Sequence, residues 1–235
     1  MKLIEYSTES NDIYFLKSIQ NSLIINDNYN GFMILDDNLK VKKRVKVMED
    51  FIIYMCFITN GRILFHCPDS ESLVYYNMND EKLKIISLNE FSDIIFSDIC
   101  WLDTSNAILK SNKNFLFQVN IDDQTLNMID KEKLIGVNLS DEIQDQNSFK
   151  TMNDKLNEKS KDYFHQIEML GNKIAYISEN KLILIHRDKE RKIEVEDGDM
   201  FISGQFMEKE KQIYFYLLQK SKCVPLISKI LKIPM

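Results

Sequence analysis

Strand-length apolar runs that end in a polar, mostly acidic turn recur along this chain at a regular spacing. Four of them begin at Phe32, Leu73, Phe115 and Leu182, so their starts are 41, 42 and 67 residues apart (73 minus 32, 115 minus 73, 182 minus 115). The first two intervals match the ~40–45-residue period of repeats that are built from four strands. The third corresponds to one such repeat plus an insertion of about 25 residues. This spacing predicts successive four-stranded antiparallel units.

Turn residues divide the apolar runs into five sets, each holding the strands of one unit. The first three sets are complete, the fourth follows the insertion, and the fifth is one strand short. The predicted strands are 13–20, 22–27, 31–37 and 40–47; 51–58, 61–67, 72–78 and 82–88; 93–102, 106–110, 115–121 and 125–129; 164–170, 173–178, 181–186 and 192–195; and 201–206, 212–218 and 224–233.

Three dipeptides have the composition of tight hairpin turns: Asn30-Gly31, Asn60-Gly61 and Gly171-Asn172. Asn and Gly tolerate the positive φ that such turns require, so each dipeptide is expected to reverse the chain between two strands.

The N-terminal segment 1–7 also has the pattern of a strand, with no partner nearby in the sequence. It is expected to pair with segment 224–233 and so complete the fifth unit. That pairing removes an exposed sheet edge, which otherwise invites aggregation.

The predicted fold is therefore all-β: a small β-propeller of about five four-stranded blades, closed by the N-terminal strand. Residues 1–235 form a single domain in this interpretation, and residues 131–161 form a polar, partly helical insertion between the third and fourth blades. The alternatives are a β-sandwich, or two small β domains that are split at the insertion.

Two third strands end in a way that resembles a known family. Segments 76–80 (YNMND) and 119–123 (VNIDD) resemble the third-strand ends of divergent WD40-like propeller repeats, where an aromatic and an acidic residue often precede a turn. The Gly-His and Trp-Asp signatures of that family are absent, and seven blades do not fit in 235 residues. The resemblance implies a rigid disc whose faces bind other proteins.

The bulk composition favours protein partners. The net charge of −6 argues against nucleic acid as a partner outside a larger complex, because nucleic-acid binding requires a basic face. The best apolar run, 51–58, is only strand-length, and no signal peptide opens the chain, so no membrane partner is expected. The expected location is the cytoplasm, or the nucleus in a eukaryote. The cysteines, which lack a CxxC pair, are expected to be reduced, buried thiols. They are Cys56, Cys67, Cys100 and Cys223.

Metal and cofactor sites are not expected. His66 and Cys67 are adjacent, and neighbouring residues on a strand point to opposite faces, so they make a poor chelating pair. His165 and His186 are isolated in the sequence.

A five-bladed propeller hydrolase is one alternative function. Asp93, Asp98 and Asp103 flank or lie in one predicted strand, and a pair of carboxylates ~5–9 Å apart serves glycoside hydrolysis as acid and base. A channel site draws its acids from several blades, however, and these three share one segment. The chain also has no GxSxG, GxxxxGK[ST] or GxGxxG motif. The sequence therefore favours a protein without enzymatic activity.

The basic stretch 40–47 is the main candidate for binding a partner. On a regular strand Lys40, Lys42, Arg44 and Lys46 share one face, and Val41, Val45 and Val47 share the other. This pattern is typical of a solvated outer strand whose lysines block edge pairing, or of a docking patch for an acidic partner. Trp101 and Asp98 are two further candidate binding residues. The predicted function is a non-catalytic protein-interaction module, with a bacterial immunity or antitoxin-like protein as a second alternative.

Overall fold

The computed structural model describes residues 4–129, 164–187, 189–195, 198–222 and 227–235. Within these ranges the regular elements are twenty β-strands and two short 3-10 turns, Pro68–Ser70 and Asn89–Phe91, with no α-helix. The predicted all-β class is confirmed. No helix in the described part of the chain is long and apolar enough to cross a membrane.

The strands of the described residues form five antiparallel sheets of four strands each. Four sheets are each built from consecutive strands, paired in the order of the sequence. They are β2 (Leu16–Ile19), β3 (Ser22–Asp27), β4 (Gly31–Asp36) and β5 (Val41–Lys46); β6 (Met55–Thr59), β7 (Arg62–Cys67), β8 (Ser72–Asn77) and β9 (Leu83–Ser87); β10 (Phe96–Trp101), β11 (Asn106–Ser111), β12 (Leu116–Asn120) and β13 (Thr125–Ile129); and β14 (Gln166–Leu170), β15 (Lys173–Ile177), β16 (Lys181–His186) and β17 (Lys189–Glu194).

The fifth sheet joins strands from both ends of the chain in the order β1-β20-β19-β18. Its strands are β1 (Ile4–Thr8), β18 (Asp199–Lys209), β19 (Gln212–Ser221) and β20 (Ser228–Pro234). β1 runs antiparallel to β20 with Tyr6 opposite Ile230, so the N-terminal strand takes the partner that was predicted for it. The predicted insertion, 131–161, lies outside the described residues.

The chain divides into two compact units. The first unit, Met1–Met48 with Gln146–Met235, contains the sheets β2–β5, β14–β17 and β1/β18–β20. The second unit, Glu49–Asp145, contains the sheets β6–β9 and β10–β13.

Burial explains the residue composition of the strands. The central strands β3, β4 and β8 are buried along five consecutive positions each, so they consist largely of apolar residues that pack on both faces. The outer strands β5 and β17 are mostly exposed and are rich in charged residues. Charges on an outer strand keep it from pairing with another chain.

In the first unit the sheet β1/β18–β20 packs against both other sheets. One core cluster joins Leu23 and Met33 to Tyr216, and another joins Leu184 to Phe215 and its neighbours. Polar contacts also link β18 to β14 and to β2, the first strands of the other two sheets. The Gln166 side-chain amide both donates to the Gly204 carbonyl (3.0 Å) and accepts from the Gly204 N–H (3.1 Å), as a strand backbone would. Ser18 Oγ donates to the Phe206 carbonyl (2.8 Å).

In the second unit the sheets β6–β9 and β10–β13 enclose one apolar cluster. Leu64 and Tyr75 of one sheet share it with Leu109 and Phe117 of the other. The Phe96 ring meets Phe117 edge-to-face at 5.4 Å between ring centroids, an arrangement that aromatic pairs favour.

The three expected hairpin turns differ in structure. Asn60 and Gly61 both have positive φ (45° and 80°), and Gly171 has a φ of 58°, as predicted. For Asn30-Gly31 the prediction is wrong, because the positive φ of that turn lies at Asn28 (49°). Gly31 begins β4, where an added Cβ would lie 2.0 Å from the Val45 carbonyl oxygen. Glycine is required there for close approach of two backbones.

Candidate interaction surface

The basic strand β5 begins directly after a turn that an aspartate organises. The Asp36 carboxylate accepts hydrogen bonds from the backbone N–H groups of Asn38 (2.8 Å) and Lys40 (2.9 Å). Leu39 adopts a positive φ of 64° and buries its side chain in the core of the first unit. The turn therefore fixes where the run of cations starts.

A β-bulge interrupts the alternation that the sequence predicts for β5. Lys43 lies opposite Ile34, but the next pair along β4 is Leu35 with Val41, so β5 has one extra residue at this point. Val41 consequently shares a face with Arg44 and Lys46, and its side chain is 41% exposed. The prediction that Val41 lies opposite the cations is wrong, because a bulge changes the register by one residue.

The predicted basic residues of β5 are nevertheless all on the surface. Lys40, Lys42, Arg44 and Lys46 are each exposed. Arg44 forms an ion pair with both carboxylate oxygens of Asp27, at 2.9 and 3.1 Å. Across the described residues, no carboxylate oxygen lies within 4 Å of Lys40, Lys42 or Lys46. Within the described ranges these three lysines therefore have no neutralising partner.

Asp37, next to the turn, connects the β4–β5 hairpin to the sheet β1/β18–β20. Lys209 donates to one carboxylate oxygen (2.9 Å), Lys232 lies 3.5 Å from the other, and the Tyr216 hydroxyl donates to the Asp37 carbonyl (2.8 Å). Lys232 is only 6% exposed, and its ammonium group lies 4.0 Å from the centroid of the Tyr214 ring. This cluster holds the hairpin that carries the basic strand.

The pKa shifts in this cluster follow from its charges. Burial acts to raise the pKa of Asp37, but the hydrogen bond from Lys209 and the charge of Lys232 outweigh it and hold that pKa below its usual value. Burial, followed by the nearby Asp37 charge, raises the pKa of Tyr216. The Asp37 carboxylate is thus ionised and pairs with the nearly buried ammonium group of Lys232.

An asparagine cluster fixes the loop before β2. The Asn26 side-chain oxygen accepts from the backbone N–H groups of Tyr14 (2.9 Å) and Phe15 (3.0 Å), and its amide donates to the Asp12 carbonyl (2.7 Å). Asn26 is completely buried. Sequence reasoning missed this role, because an Asn at the end of an apolar run looks like an ordinary turn residue.

Trp101 lies in the second unit and is partly buried against the core between the two sheets. The Arg62 guanidinium lies 4.3 Å from its ring, and the Tyr75 ring lies 6.1 Å away. Its indole nitrogen is buried without a hydrogen-bond acceptor among the described residues. These contacts make Trp101 a packing residue that links neighbouring sheets; its predicted role in partner binding stays untested.

Asp98 and the two aspartates near it have different surroundings. Asp98 is half-buried in β10 and accepts a hydrogen bond from the Ile99 N–H (2.8 Å). Asp103 accepts from the backbone N–H groups of Ser105 (2.7 Å) and Asn106 (2.8 Å), which lower its pKa. A general acid needs a raised pKa, so Asp103 is poorly suited to that role. Asp93 is exposed.

A second ionic cluster in this unit was not predicted. Lys82 lies 2.5 Å from an Asp122 carboxylate oxygen, Lys84 donates to the Asp122 carbonyl (2.9 Å), and the Ser105 hydroxyl donates to the same carboxylate. The hydrogen bonds from Lys82 and Ser105 lower the pKa of Asp122 to about 2. Lys82 and Asp122 are 40 positions apart in sequence, so only the repeat spacing hinted at their proximity.

The three histidines have different surroundings. His66 is fully buried between the rings of Tyr54 and Phe96, and His165 hydrogen-bonds to the Ile202 carbonyl (3.0 Å). Burial, helped by Lys173, Arg187 and Lys189, lowers the pKa of His186. Among the described residues no group of three His, Cys, Asp or Glu side chains is placed to hold a metal ion. Cys67 is buried as predicted, whereas Cys56 and Cys100 are half-buried, and no disulfide joins these three described cysteines. Cys223 lies outside the described residues.

Comparisons with known proteins concern the fold only. No protein-family model and no curated protein matches the chain. Streptogramin B lyase is one similar solved structure: the identity is 12%, the match covers 98% of this chain and 97% of that chain, and the TM-score is 0.49. The C-terminal WD40 domain of Sif2 has 10% identity, with 89% of this chain and 55% of that chain covered and a TM-score of 0.38. HIRA(644-1017) has 10% identity and a TM-score of 0.41; the match covers 52% of this chain and 41% of that chain, so this chain spans less than half of it.

Because the identities are at most 12% and the TM-scores are below 0.5, these similarities carry no argument about activity or partners.

His66 predicts a pH dependence of stability. Burial lowers its pKa from 6.5 to about 4, and neither ring nitrogen has a hydrogen-bond partner among the described residues. Because the unfolded chain binds this proton more readily, the free energy of unfolding should fall as the pH drops from about 6.5 towards 4, by about 2 kcal/mol at pH 5. Urea denaturation at pH 7.5 and pH 5 measures this change. The variant His66→Leu lacks the proton site, so equal pH dependence in both proteins would contradict the prediction.

Asp37 is expected to contribute strongly to stability. The variant Asp37→Asn leaves the buried Lys232 ammonium without its carboxylate, which should lower the free energy of unfolding by roughly 3 kcal/mol. The matched control, Lys209→Ala, removes the more exposed cation and should cost less than about 1 kcal/mol. Urea denaturation at pH 7 compares them. The double variant Asp37→Asn/Lys232→Met removes the nearly buried ammonium group together with its carboxylate, so much of the lost free energy of unfolding should return. Equal losses for Asp37→Asn and Lys209→Ala would be the contrary result.

Proposed function

We propose that this protein is a non-catalytic interaction module that binds another protein through the basic strand β5. The observation that carries the proposal is a set of exposed cations that have no ion-pair partner among the described residues of a chain whose net charge is −6. They are Lys40, just before β5, and Lys42 and Lys46, on it. A patch opposite in sign to the rest of the molecule attracts acidic partners and orients them.

Two other outer strands support this proposal by contrast. β17 interleaves cations with Glu190 and Glu194, and Lys192 pairs with Glu190 at 3.0 Å. The lysines of β9 and the turn before it are bound to Asp122. Charge of either sign on an outer strand is enough to block its pairing with another chain. Protection against such pairing therefore does not explain why the charges of β5 are all positive.

The five four-stranded sheets supply the frame for this surface. We propose that they are the blades of one small propeller, which the β1–β20 pairing closes. A single compact domain of this length has an expected radius of gyration of about 18 Å. Small-angle X-ray scattering measures this quantity, and a value above about 22 Å with a two-domain distance distribution would contradict the single propeller.

Charge reversal tests the proposed function. The variant Lys40→Glu/Lys42→Glu/Lys46→Glu should lose a protein partner that wild-type protein captures from the native host, because its patch now repels an acidic surface. The control Lys189→Glu/Arg191→Glu/Lys192→Glu changes the net charge equally on β17 and should keep the partner. Quantitative affinity capture at ~0.15 M salt, near physiological ionic strength, provides the comparison, and thermal unfolding checks that both variants are folded. Equal capture by the two variants would rule out β5 as the binding surface.

The immunity-type role, the hydrolase alternative and the cytoplasmic location stay predictions. For the hydrolase, the main candidate residue is Asp98, which accepts a hydrogen bond from the Ile99 N–H.

A further inference from the structure

The β3–β4 turn carries an exposed aromatic ring that is held in one position. Tyr29 is 43% exposed, and its hydroxyl donates a hydrogen bond to the Asp12 carboxylate (3.0 Å). Its ring stacks on Tyr14 with 6.0 Å between centroids and an interplanar angle of 16°. A fixed tyrosine loses little side-chain entropy when it binds, and tyrosine is common among residues that dominate protein interfaces.

The backbone beneath this ring is also fixed. The Asn28 N–H donates to the Asn11 side chain (2.7 Å), and the Asn28 amide donates to the Ser10 carbonyl (3.0 Å). The Asn30 N–H closes the turn on the Asp27 carbonyl (3.2 Å). Because the turn is ordered before any partner arrives, binding there does not require the turn to be ordered.

Tyr29 lies at one end of the basic strand. The Val47 N–H, just after β5, donates to the Asn30 carbonyl (2.8 Å), and Lys46 lies opposite Gly31. The Arg44–Asp27 ion pair ties the same turn to the middle of β5. The turn and the strand therefore form one continuous surface, which we call the Tyr29–β5 surface and define as Tyr29, Val41, Lys42, Arg44 and Lys46.

This surface has apolar contacts at both ends and positive charge between them. Val41, 41% exposed, lies at the far end from Tyr29. The intervening strand length is about 17 Å, which five residues of an extended chain cover. Lys42 and Lys46, whose ammonium groups have no ion-pair partner in the described part of the chain, lie along it.

We propose that the Tyr29–β5 surface binds an extended acidic segment of a partner protein that carries an apolar side chain on each side of its acidic run. This inference rests on the proposed function and names the kind of segment that β5 takes. Carboxylates of the segment pair with Lys42 and Lys46, and its apolar ends contact Tyr29 and Val41.

The charge balance of this surface favours a peptide over a nucleic acid. The two carboxylates next to the turn already have cations as partners, since Asp12 pairs with Lys220 and Asp27 pairs with Arg44. Among the described residues, Lys42 and Lys46 are the cations of this surface that have no such partner. Two cations on a chain of net charge −6 neutralise few phosphates of a nucleic acid, whereas they suffice for a short acidic run in a peptide.

Fluorescence anisotropy with the full chain tests the inference. The probe is a labelled synthetic peptide in which a short run of glutamates is flanked by one phenylalanine and one leucine. Wild-type protein should bind it, and the affinity should fall as salt is raised, because the contacts are largely ionic. The variant Tyr29→Ala should weaken binding about tenfold, as loss of an interface anchor does. Tyr29→Phe keeps the ring and should bind within about twofold, because only the Asp12 contact is lost.

Further variants and probes separate the outcomes. Lys46→Glu should weaken binding at least about tenfold, whereas Lys189→Glu on β17 should leave it unchanged. A glutamate run without apolar flanks should bind more weakly; equal binding would overturn the two-ended surface. Tighter binding of oligodeoxythymidine than of the peptide would overturn the choice of a peptide.

The result also distinguishes this inference from the proposed function. If the peptide does not bind, or Tyr29→Ala has no effect, while β5 charge reversal still abolishes capture of the native partner, the Tyr29–β5 inference fails and the proposed function stands. If β5 charge reversal leaves capture intact, the proposed function fails as well.

Discussion

The pairing of β1 with β20 is the constraint on which the larger unit depends. It brings residues 4–8 against residues 228–232, across almost the whole length of the chain. Closing so long a loop costs only modestly more conformational entropy than closing a short one, because the cost grows with the logarithm of loop length. In return β1 pairs with the free edge of β20 and completes the four-stranded sheet. That sheet packs against the sheets β2–β5 and β14–β17.

Polar contacts complete what apolar packing begins. In the first unit Asn26 satisfies backbone groups of a loop, and Asp37 satisfies the nearly buried Lys232. In the second unit Asp122 joins two sheets through Lys82 and Ser105. The pKa values of Asp37 and Asp122 are lowered, so both remain anions at neutral pH and act as fixed acceptors. The carboxylates of Asp37 and Asp122 therefore stabilise the structure as acceptors of hydrogen bonds and as partners of lysines.

The charge of β5 is of one sign. Some lysines on or beside other outer strands meet carboxylates, as Lys192 meets Glu190 and Lys82 meets Asp122. Of the four predicted cations on and next to β5, Arg44 has such a partner among the described residues, and Lys40, Lys42 and Lys46 do not. The bulge turns Val41 to the same side as Arg44, so this side offers apolar and basic groups together. A surface of that composition suits an acidic partner with apolar residues near its charges.

The sequence by itself determined the strands, their grouping and the partner of the N-terminal strand. Alternating and continuous apolar runs, separated by Asn, Asp and Gly turns, report locally which residues can pair and be buried. It did not determine the bulge in β5, the true role of Gly31, or the clusters around Asp37, Asn26 and Asp122. Those depend on contacts between residues far apart in the chain, such as Asp37 with Lys209 and Lys232. Only the tertiary structure brought these groups within hydrogen-bond distance, because a local pattern predicts which face a residue occupies but not which side chain lies opposite it.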